Sequence, residues 1–294
     1  MKVAFVDFHE GFNPSNNIFI NCIRHLFGPS TFVDDWNDAD VIFFTIFGPN
    51  RTQLLQNFPT KSILWIGENI RPNTIASGYS ISTDFSNYGD KNFRLPLWFL
   101  EIDWHNTGLG TCSLADVYNR LVCIGNANLT DLRHRKFCIT IFNNPEGTRI
   151  EMLRSIREIS HVDCYGKPFG NWFPTYSSYK DKLAKMSDYC FNLCPENSIY
   201  PGYYTEKAFH AKLAGTIPLY FADKWSSLEF RPISLLNLHN YPSIQRYAQY
   251  VEYVYRNDQL LLRLLNQPLL ATMPSLSSFY KWLYKTINTI MIRQ

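Results

Sequence analysis

Long apolar runs, metal-type cysteine motifs and clustered charge are all missing from the sequence, and each absence removes a class of protein. No stretch approaches 18 consecutive apolar residues, so no transmembrane span is predicted. The 28 Lys and Arg residues nearly balance the 25 Asp and Glu residues, and no run of cations is long enough to follow a nucleic-acid backbone. We therefore expect no nucleic-acid partner and leave open a small anionic ligand.

The cysteines and the N-terminus indicate a reduced, cytoplasmic setting. The seven cysteines are scattered and contain no CxxC motif, and no histidine lies near the closest pair, Cys190 and Cys194, to complete a zinc set. The opening residues MKVAFVDFHEGFN place an aspartate early in the apolar stretch, which is unlike a signal peptide. We expect a cytoplasmic protein, and a peripheral position at the inner membrane is the alternative.

Apolar runs alternate with helical patterns in two series. VAFVDF, ADVIFFTIF and KSILWIGEN have the length and composition of strands buried on both faces of a parallel sheet, and a second series begins with KFCITIFNN at residue 136. The pattern predicts an α/β fold with two Rossmann-like domains. We expect domains at 1–132 and 133–268, followed by a helical tail at 269–294.

The tail is rich in aromatic residues. SFYKWLYKTINTIMIRQ mixes Trp, Tyr and Ile with a few cations, which suits a helix that packs back on the first domain. Weak association of the tail with a membrane surface is the alternative.

Glu68 follows an apolar run that predicts a strand, in KSILWIGENIRP. Ligands of doubly wound sheets bind at the carboxyl ends of the strands, and a carboxylate there can act as a general base. The alternative is a solvated or helix-capping glutamate, because single carboxylates at strand ends are common.

Arg149 lies at the predicted start of a helix. In NNPEGTRIEMLRSI, Thr148 and Glu151 have the spacing of a capping box, which would put Arg149 at the first helical position. A cation is disfavoured there unless an anion neutralises it, and a guanidinium can bind phosphate oxygens in a bidentate manner. An arginine that turns outward to pair with a surface carboxylate is the alternative.

The segment ENSIYPGYYTEKAFHAKLAG repeats this charge mismatch. Thr205 is the predicted N-cap, Glu206 the first helical residue and Lys207 the second. Lys207 opposes the helix dipole, so we expect an anion that the fold does not itself supply, whereas Glu206 can accept hydrogen bonds from ribose hydroxyls. Together these residues predict a site for a nucleoside diphosphate, and a solvated Glu–Lys pair is the alternative. The DxD spacing of Asp38 and Asp40 precedes a strand and is interpreted as a solvated turn without a metal.

The segment ENSIYPGYYTEKAFHAKLAGTIPLYF resembles the donor-binding signature of the α1,3/4-fucosyltransferases of glycosyltransferase family 10. The resemblance extends to YKDKLAKMSDYCFNLC, FNNPEGTRIEMLRSI and WIGENIRPN, and covers roughly residues 60 to 240. It implies the GT-B fold, in which two Rossmann-like domains face a central cleft, with an N-terminal acceptor-binding domain and a C-terminal GDP-fucose-binding domain.

The resemblance also implies residue roles. Glu68 would be the catalytic base, Arg149 and Lys207 the cations on the GDP diphosphate, and Glu206 the residue on the ribose. Asn197 and Tyr203 fall where family members line the donor site.

The implied reaction is an inverting transfer of L-fucose from GDP-β-L-fucose to the 3-hydroxyl of N-acetylglucosamine in N-acetyllactosamine-type acceptors. No tightly bound cofactor is implied, and the sequence requires no divalent metal, although stimulation by one stays open. Another linkage or acceptor, such as α1,4 or core chitobiose, and a non-catalytic protein that binds a nucleotide sugar or a glycan are the alternatives.

Overall fold

The computed structural model describes residues 1–74, 78–171 and 179–293. The chain forms two compact units, of which the first combines Met1–Gly110 with Pro274–Gln294 and the second is the continuous segment Thr111–Met273. The expected domains divide the chain at 132/133 instead. Residues after 110 belong with the second unit because they bind there, for example through Arg120 Nη1, which donates to the carbonyl of Leu213 at 3.2 Å.

The first unit contains a six-stranded parallel sheet with the order β2-β1-β3-β4-β5-β6. Its strands are β1 (Lys2–Val6), β2 (Thr31–Phe32), β3 (Val41–Phe44), β4 (Ser62–Trp65), β5 (Tyr79–Ser82) and β6 (Asn92–Arg94). A two-residue strand, β7 (Ile102–Asp103), follows. The helices in the N-terminal part of this unit are α1 (Ile18–Phe27) and α2 (Arg51–Asn57).

Apolar side chains cover both faces of this sheet, which explains why its strands have continuous apolar runs. Phe43 and Ile63 face the core that includes Ile20 of α1, whereas Phe44 faces the core that includes Leu54 of α2. The predicted parallel, doubly covered sheet is confirmed in this unit.

The second unit contains a five-stranded parallel sheet with the order β10-β9-β11-β12-β13. The strands of this sheet are β9 (Lys136–Ile141), β10 (Val162–Tyr165), β11 (Tyr189–Leu193), β12 (Ile217–Tyr220) and β13 (Leu236–Asn237). A short strand of the same unit, β8 (Cys112–Ser113), lies outside this sheet. The helices of the second unit are α3 (Leu114–Val117), α4 (Leu129–Arg133), α5 (Gly147–Arg157), α6 (Tyr179–Met186), α7 (Glu206–Leu213), α8 (Ile244–Tyr255) and α9 (Asp258–Asn266).

Two local features of the second unit depend on single side chains. The helical pattern over residues 244–265 is divided into α8 and α9, because the Asn257 side chain accepts a hydrogen bond from Leu260 N at 3.0 Å and starts a new helix. Lys212, which is buried, ties α7 to the end of α9 by donating to the carbonyls of Leu264 and Leu265 at 2.8 Å each.

The C-terminal helix α10 (Ser277–Ile292) belongs to the first unit. Its buried residues Phe279, Leu283, Ile287 and Ile290 join the core that also contains α1. This confirms that the tail packs as a helix on the first domain. Within the described part of the chain, no helix has both the length and the apolar character needed to span a bilayer.

Candidate functional site

Glu196 organises the carboxyl edge of the second sheet. It lies on the loop that follows β11, and its buried carboxylate accepts hydrogen bonds from Thr205 N at 2.8 Å, Thr205 Oγ1 at 2.7 Å and Tyr220 OH at 2.7 Å. Thr205 is the N-cap of α7 as predicted, but its side chain makes no capping hydrogen bond to the helix because the hydroxyl is bound to Glu196. The start of α7 is therefore fixed by a carboxylate from the beginning of the loop that leads into it.

Lys207 is the second residue of α7 and lies against the same carboxylate. Its Nζ is 3.2 Å from Glu196 Oε2 and 3.6 Å from Glu206 Oε1, and it donates to Thr205 Oγ1 at 2.7 Å. Burial opposes the charge, but Glu196 and Glu206 more than compensate, so the pKa of Lys207 is raised. The expectation that the fold supplies no counter-charge for Lys207 is wrong, since Glu196 provides one.

Arg149 is buried and is held by the segment that contains Glu196. Its Nη2 donates to the carbonyl of Pro195 at 3.0 Å and to Asn197 Oδ1, and its Nη1 donates to the carbonyl of Asn144 at 2.9 Å. Burial lowers the pKa of the guanidinium against the opposing effect of Glu196. Among the described residues, its Nε has no hydrogen-bond partner, so one donor of a buried cation is unused.

The capping box predicted at Thr148 and Glu151 is wrong. The helix α5 begins two residues earlier than that box requires, with Glu146 as N-cap, and no side chain caps it. Arg149 is consequently the third residue of the helix and not the first, although it still lies in the first turn.

Glu206 and Tyr203 are the remaining predicted site residues of the second unit. The side chain of Glu206 is 35% exposed. Burial would raise its pKa, but Lys207, Lys182 and His210 lower the pKa to about 2, so the group is ionised at neutral pH. Tyr203 is buried after a turn in which Gly202 adopts a φ of 96°, a conformation that favours glycine.

The sequence analysis did not predict that Lys182 and His210 lower the pKa of Glu206. Lys182 Nζ lies 3.3 Å from Nδ1 of the buried His210, which is one turn beyond Glu206 on α7. Glu196 was also missed as a site residue. Its position just beyond the strand-like run YCFNLC, at a carboxyl end where ligands bind, is a signal that could have found it.

The structure thus brings five of the six predicted site residues together in the second unit: Arg149, Asn197, Tyr203, Glu206 and Lys207. They lie on loops and helix starts that follow β9 and β11, two neighbouring strands, so they share the carboxyl edge of the sheet.

Glu68 lies in the first unit, exposed on the turn after β4. The turn is closed by a hydrogen bond from Ile70 N to the carbonyl of Glu68 at 2.8 Å. Further along, Arg71 donates to Asn69 Oδ1 and forms an ion pair with Asp84, with 3.5 Å between Arg71 Nη1 and Asp84 Oδ2. Glu68 is therefore exposed to solvent, and hydrogen bonds and an ion pair of the neighbouring residues hold its turn in place.

Asp38 and Asp40 of the DxD motif precede β3, as predicted, and so lie at the edge of the sheet opposite to its carboxyl edge. Asp40 immediately precedes β3, and its Oδ2 accepts a hydrogen bond from Lys2 N at 2.7 Å. Across residues 1–74, 78–171 and 179–293, no group of three or more His, Cys, Asp and Glu side chains is arranged to hold a metal ion.

Two parallel sheets covered by helices, the second with cations at its carboxyl edge, define an α/β protein with two Rossmann-like units. The family model described as "Alpha-(1,3)-fucosyltransferase FucT N-terminal domain" matches residues 3–101. The model described as "Glycosyltransferase family 10 (fucosyltransferase) C-term" matches residues 132–266. The two models together account for most of the chain, and the chain belongs to glycosyltransferase family 10.

Individual relatives agree with this assignment. The chain is 23% identical over 266 residues to the alpha-(1,3)-fucosyltransferase FucT of Helicobacter pylori, across 83% of this chain and 54% of that protein. It is 29% identical over 137 residues to human 4-galactosyl-N-acetylglucosaminide 3-alpha-L-fucosyltransferase 9, across 46% of this chain and 37% of the relative. The chain thus spans about half, or less, of the length of the curated relatives it matches.

Solved structures show the same fold. A crystal structure of an alpha1,3-fucosyltransferase superposes with a TM-score of 0.75 at 22% identity, over 99% of this chain and 90% of that one. A structure of an alpha1,3-fucosyltransferase with GDP-fucose superposes with a TM-score of 0.71 at 21% identity, with the same coverage. The predicted GT-B type α/β fold is confirmed.

Proposed function

We propose that the protein is an inverting α1,3-fucosyltransferase that uses GDP-β-L-fucose as donor. The observation that carries the proposal is the convergence of Arg149 and Lys207 on the single segment Pro195–Asn197 in a chain of family 10. Two cations held at the carboxyl edge of a parallel sheet favour an anionic ligand such as a diphosphate.

In this proposal the diphosphate binds between the two cations. The unused Nε of Arg149 supplies a donor to it, and Glu196 keeps Lys207 protonated and oriented before the donor arrives. Glu206 is ionised and accepts hydrogen bonds from the ribose hydroxyls, while Asn197 and Tyr203 line the donor. That GDP-fucose is found with a structurally similar alpha1,3-fucosyltransferase supports this choice of donor.

The acceptor is proposed to be an N-acetyllactosamine-type glycan. Its N-acetylglucosamine 3-hydroxyl attacks the anomeric carbon of fucose, the new C–O bond forms on the face opposite to the diphosphate, and the bond to GDP breaks with its electron pair. Glu68 takes the hydroxyl proton. Negative charge grows on the departing GDP. Arg149 and Lys207 stabilise that charge, and both cations are in position before the reaction begins.

The test is transfer of fucose by the purified protein from GDP-fucose to lactose, N-acetyllactosamine and type 1 acceptors. Mass spectrometry and linkage NMR identify the product. An α1,3-linked product supports the proposal, and an α1,4-linked or chitobiose-linked product shifts the assignment within the family. Absence of transfer together with tight GDP-fucose binding favours a non-catalytic binding protein.

Two variants separate the proposed roles. Glu68→Gln should abolish transfer while GDP binding persists, and unchanged turnover would remove the base assignment. Lys207→Ala should weaken GDP binding and slow transfer by roughly 100- to 1,000-fold, the usual effect of losing one transition-state contact. Lys285→Ala, which removes a 74% exposed lysine on α10, is the matched control and should leave both unchanged.

A further inference from the structure

A cavity of about 320 Å³ opens at the carboxyl edge of the first sheet. Its walls come from the segment after β1, the start of α1, the last residue of β4 and residues 100–109. This volume lies at the small end of the range for ligand pockets, about 300–1,000 Å³, and suits a small saccharide.

The cavity combines aromatic rings with polar groups. Phe8, Phe12, Trp65 and Trp104 supply the rings, which is the composition that binds the apolar CH face of a pyranose. Phe8 and Phe12 are stacked with ring centroids 4.1 Å apart, and Trp104 is anchored by its Nε1, which donates to the carbonyl of Phe99 at 2.8 Å. The aromatic walls are therefore fixed before a ligand arrives.

The polar groups match hydroxyls, which both donate and accept hydrogen bonds. Trp65 lines the cavity, and its indole Nε1 carries an N–H that can donate to a hydroxyl. In neutral His9, Nδ1 donates to the carbonyl of Glu10 at 2.8 Å, which leaves Nε2 as an acceptor. Asp103 accepts from Thr107 N at 2.9 Å and Gly108 N at 2.8 Å and keeps lone pairs for further donors.

Trp65 connects this cavity to Glu68. A Cβ built on Gly67 would lie 3.5 Å from Nε1 and Cζ2 of Trp65, so the indole rests directly against the residue that precedes Glu68. A sugar ring bound against this indole would lie beside the turn that carries the proposed base.

We propose that this cavity binds a pyranose of the acceptor glycan, with its CH face on the aromatic rings and its hydroxyls on Trp65 Nε1, His9 and Asp103. The inference rests on the proposed function, because it assigns to the acceptor the site next to Glu68. It makes Trp65 and Trp104 determinants of acceptor affinity and assigns them no part in donor binding.

The experiment measures acceptor binding directly and through kinetics. Saturation-transfer difference NMR with N-acetyllactosamine and steady-state transfer assays are run on wild type, Trp65→Phe, Trp104→Ala and the control Tyr284→Ala. Trp104→Ala should raise the acceptor KM about tenfold by removing a stacking surface. Trp65→Phe keeps a ring against Phe19, so it should fold normally and still raise the acceptor KM through loss of the N–H. The GDP-fucose KM should not change in either variant.

Each outcome decides one of the two proposals. Unchanged acceptor KM values in both tryptophan variants of an active enzyme would overturn the pocket assignment and leave the fucosyltransferase assignment in place. If the wild type transfers no fucose, NMR signals that Trp104→Ala abolishes and Tyr284→Ala retains would support the pocket on its own. Saturation transfer to N-acetyllactosamine that is equally strong in wild type and in both tryptophan variants would also overturn it. Tyr284 is a suitable control because it is 51% exposed on α10 and does not line the cavity.

Discussion

Replacing Glu196 with glutamine tests whether this carboxylate organises the site in the second unit. The Glu196 side chain has 0% exposure, that of Lys207 has 18%, and the two charges are 3.2 Å apart. Breaking a buried ion pair by removing one partner typically costs about 3–5 kcal/mol. The glutamine oxygen can still accept hydrogen bonds from Thr205 N and Tyr220 OH, so we expect the free energy of unfolding to fall by about 3 kcal/mol, the lower end of that range.

The assay is urea denaturation at pH 7, followed by circular dichroism, for Glu196→Gln, Lys207→Met and the double variant. Because the two groups are in direct contact, the double-mutant cycle should give a coupling energy of about 2 kcal/mol. Tyr220→Phe, which removes one neutral donor to the carboxylate, should cost less than Glu196→Gln. A loss below about 1 kcal/mol for Glu196→Gln, as for an exposed ion pair, would refute the reasoning, and so would a coupling energy near zero.

Three further predictions concern stability. Burial lowers the pKa of Lys212 to about 7, so between that pH and the pKa of an unfolded lysine the unfolded chain binds one proton more. The stability of wild type relative to Lys212→Met should therefore rise from pH 7 to 9, with a slope that approaches about 1.4 kcal/mol per pH unit as the folded lysine loses its proton, measured by urea denaturation. Asn257→Ala removes the cap on Leu260 N and should lower the free energy of unfolding by about 1 kcal/mol in the same assay. Gly166→Ala should cost about 2–3 kcal/mol, seen as a lower Tm, because Gly166 has a φ of 119° and a Cβ would overlap the carbonyl oxygen of Phe142.

Each of these has a control and a contradicting result. A difference between wild type and Lys212→Met that is flat from pH 7 to 9 would contradict the lowered pKa. Gln259→Ala, at an exposed position of α9, should be neutral, and an equal loss at both positions would contradict the capping role of Asn257. Gly147→Ala adds a Cβ with nothing within 4 Å, so its Tm should stay close to wild type while that of Gly166→Ala falls.

Strands with continuous apolar runs could be predicted from the sequence, and polar strands could not. The runs in β3 and β11 are buried on both faces, so their composition alone indicates a parallel sheet. In contrast, β5 has the sequence YSIS, and its buried Ser80 and Ser82 are satisfied by hydrogen bonds to Asn92 Oδ1 at 2.9 Å each. That partner is supplied by the neighbouring strand β6, and local sequence does not reveal such a long-range contact.

The candidate site shows the same limit. Charge mismatches at two helix starts led to the prediction that Arg149 and Lys207 share a site, and that shared role stays a prediction. The pairing of Glu196 with Lys207 could not be predicted, because the two residues come together only through the turn that joins β11 to α7. The position of Arg149 within its helix was also missed, since nothing in a capping-box pattern indicates that a helix begins earlier at an uncapped glycine. The role of Glu68 stays a prediction.

The discontinuous first unit has a consequence for synthesis on the ribosome. The second unit is one continuous segment, so all its residues are available once Met273 has emerged. The core of the first unit includes Phe279, Leu283 and Ile287 of α10, which are made later. Domains of multidomain proteins usually fold in the order of their synthesis. Here the unit that is synthesised first completes its core last, and until then the apolar surface that α10 covers remains exposed to water and to chaperones.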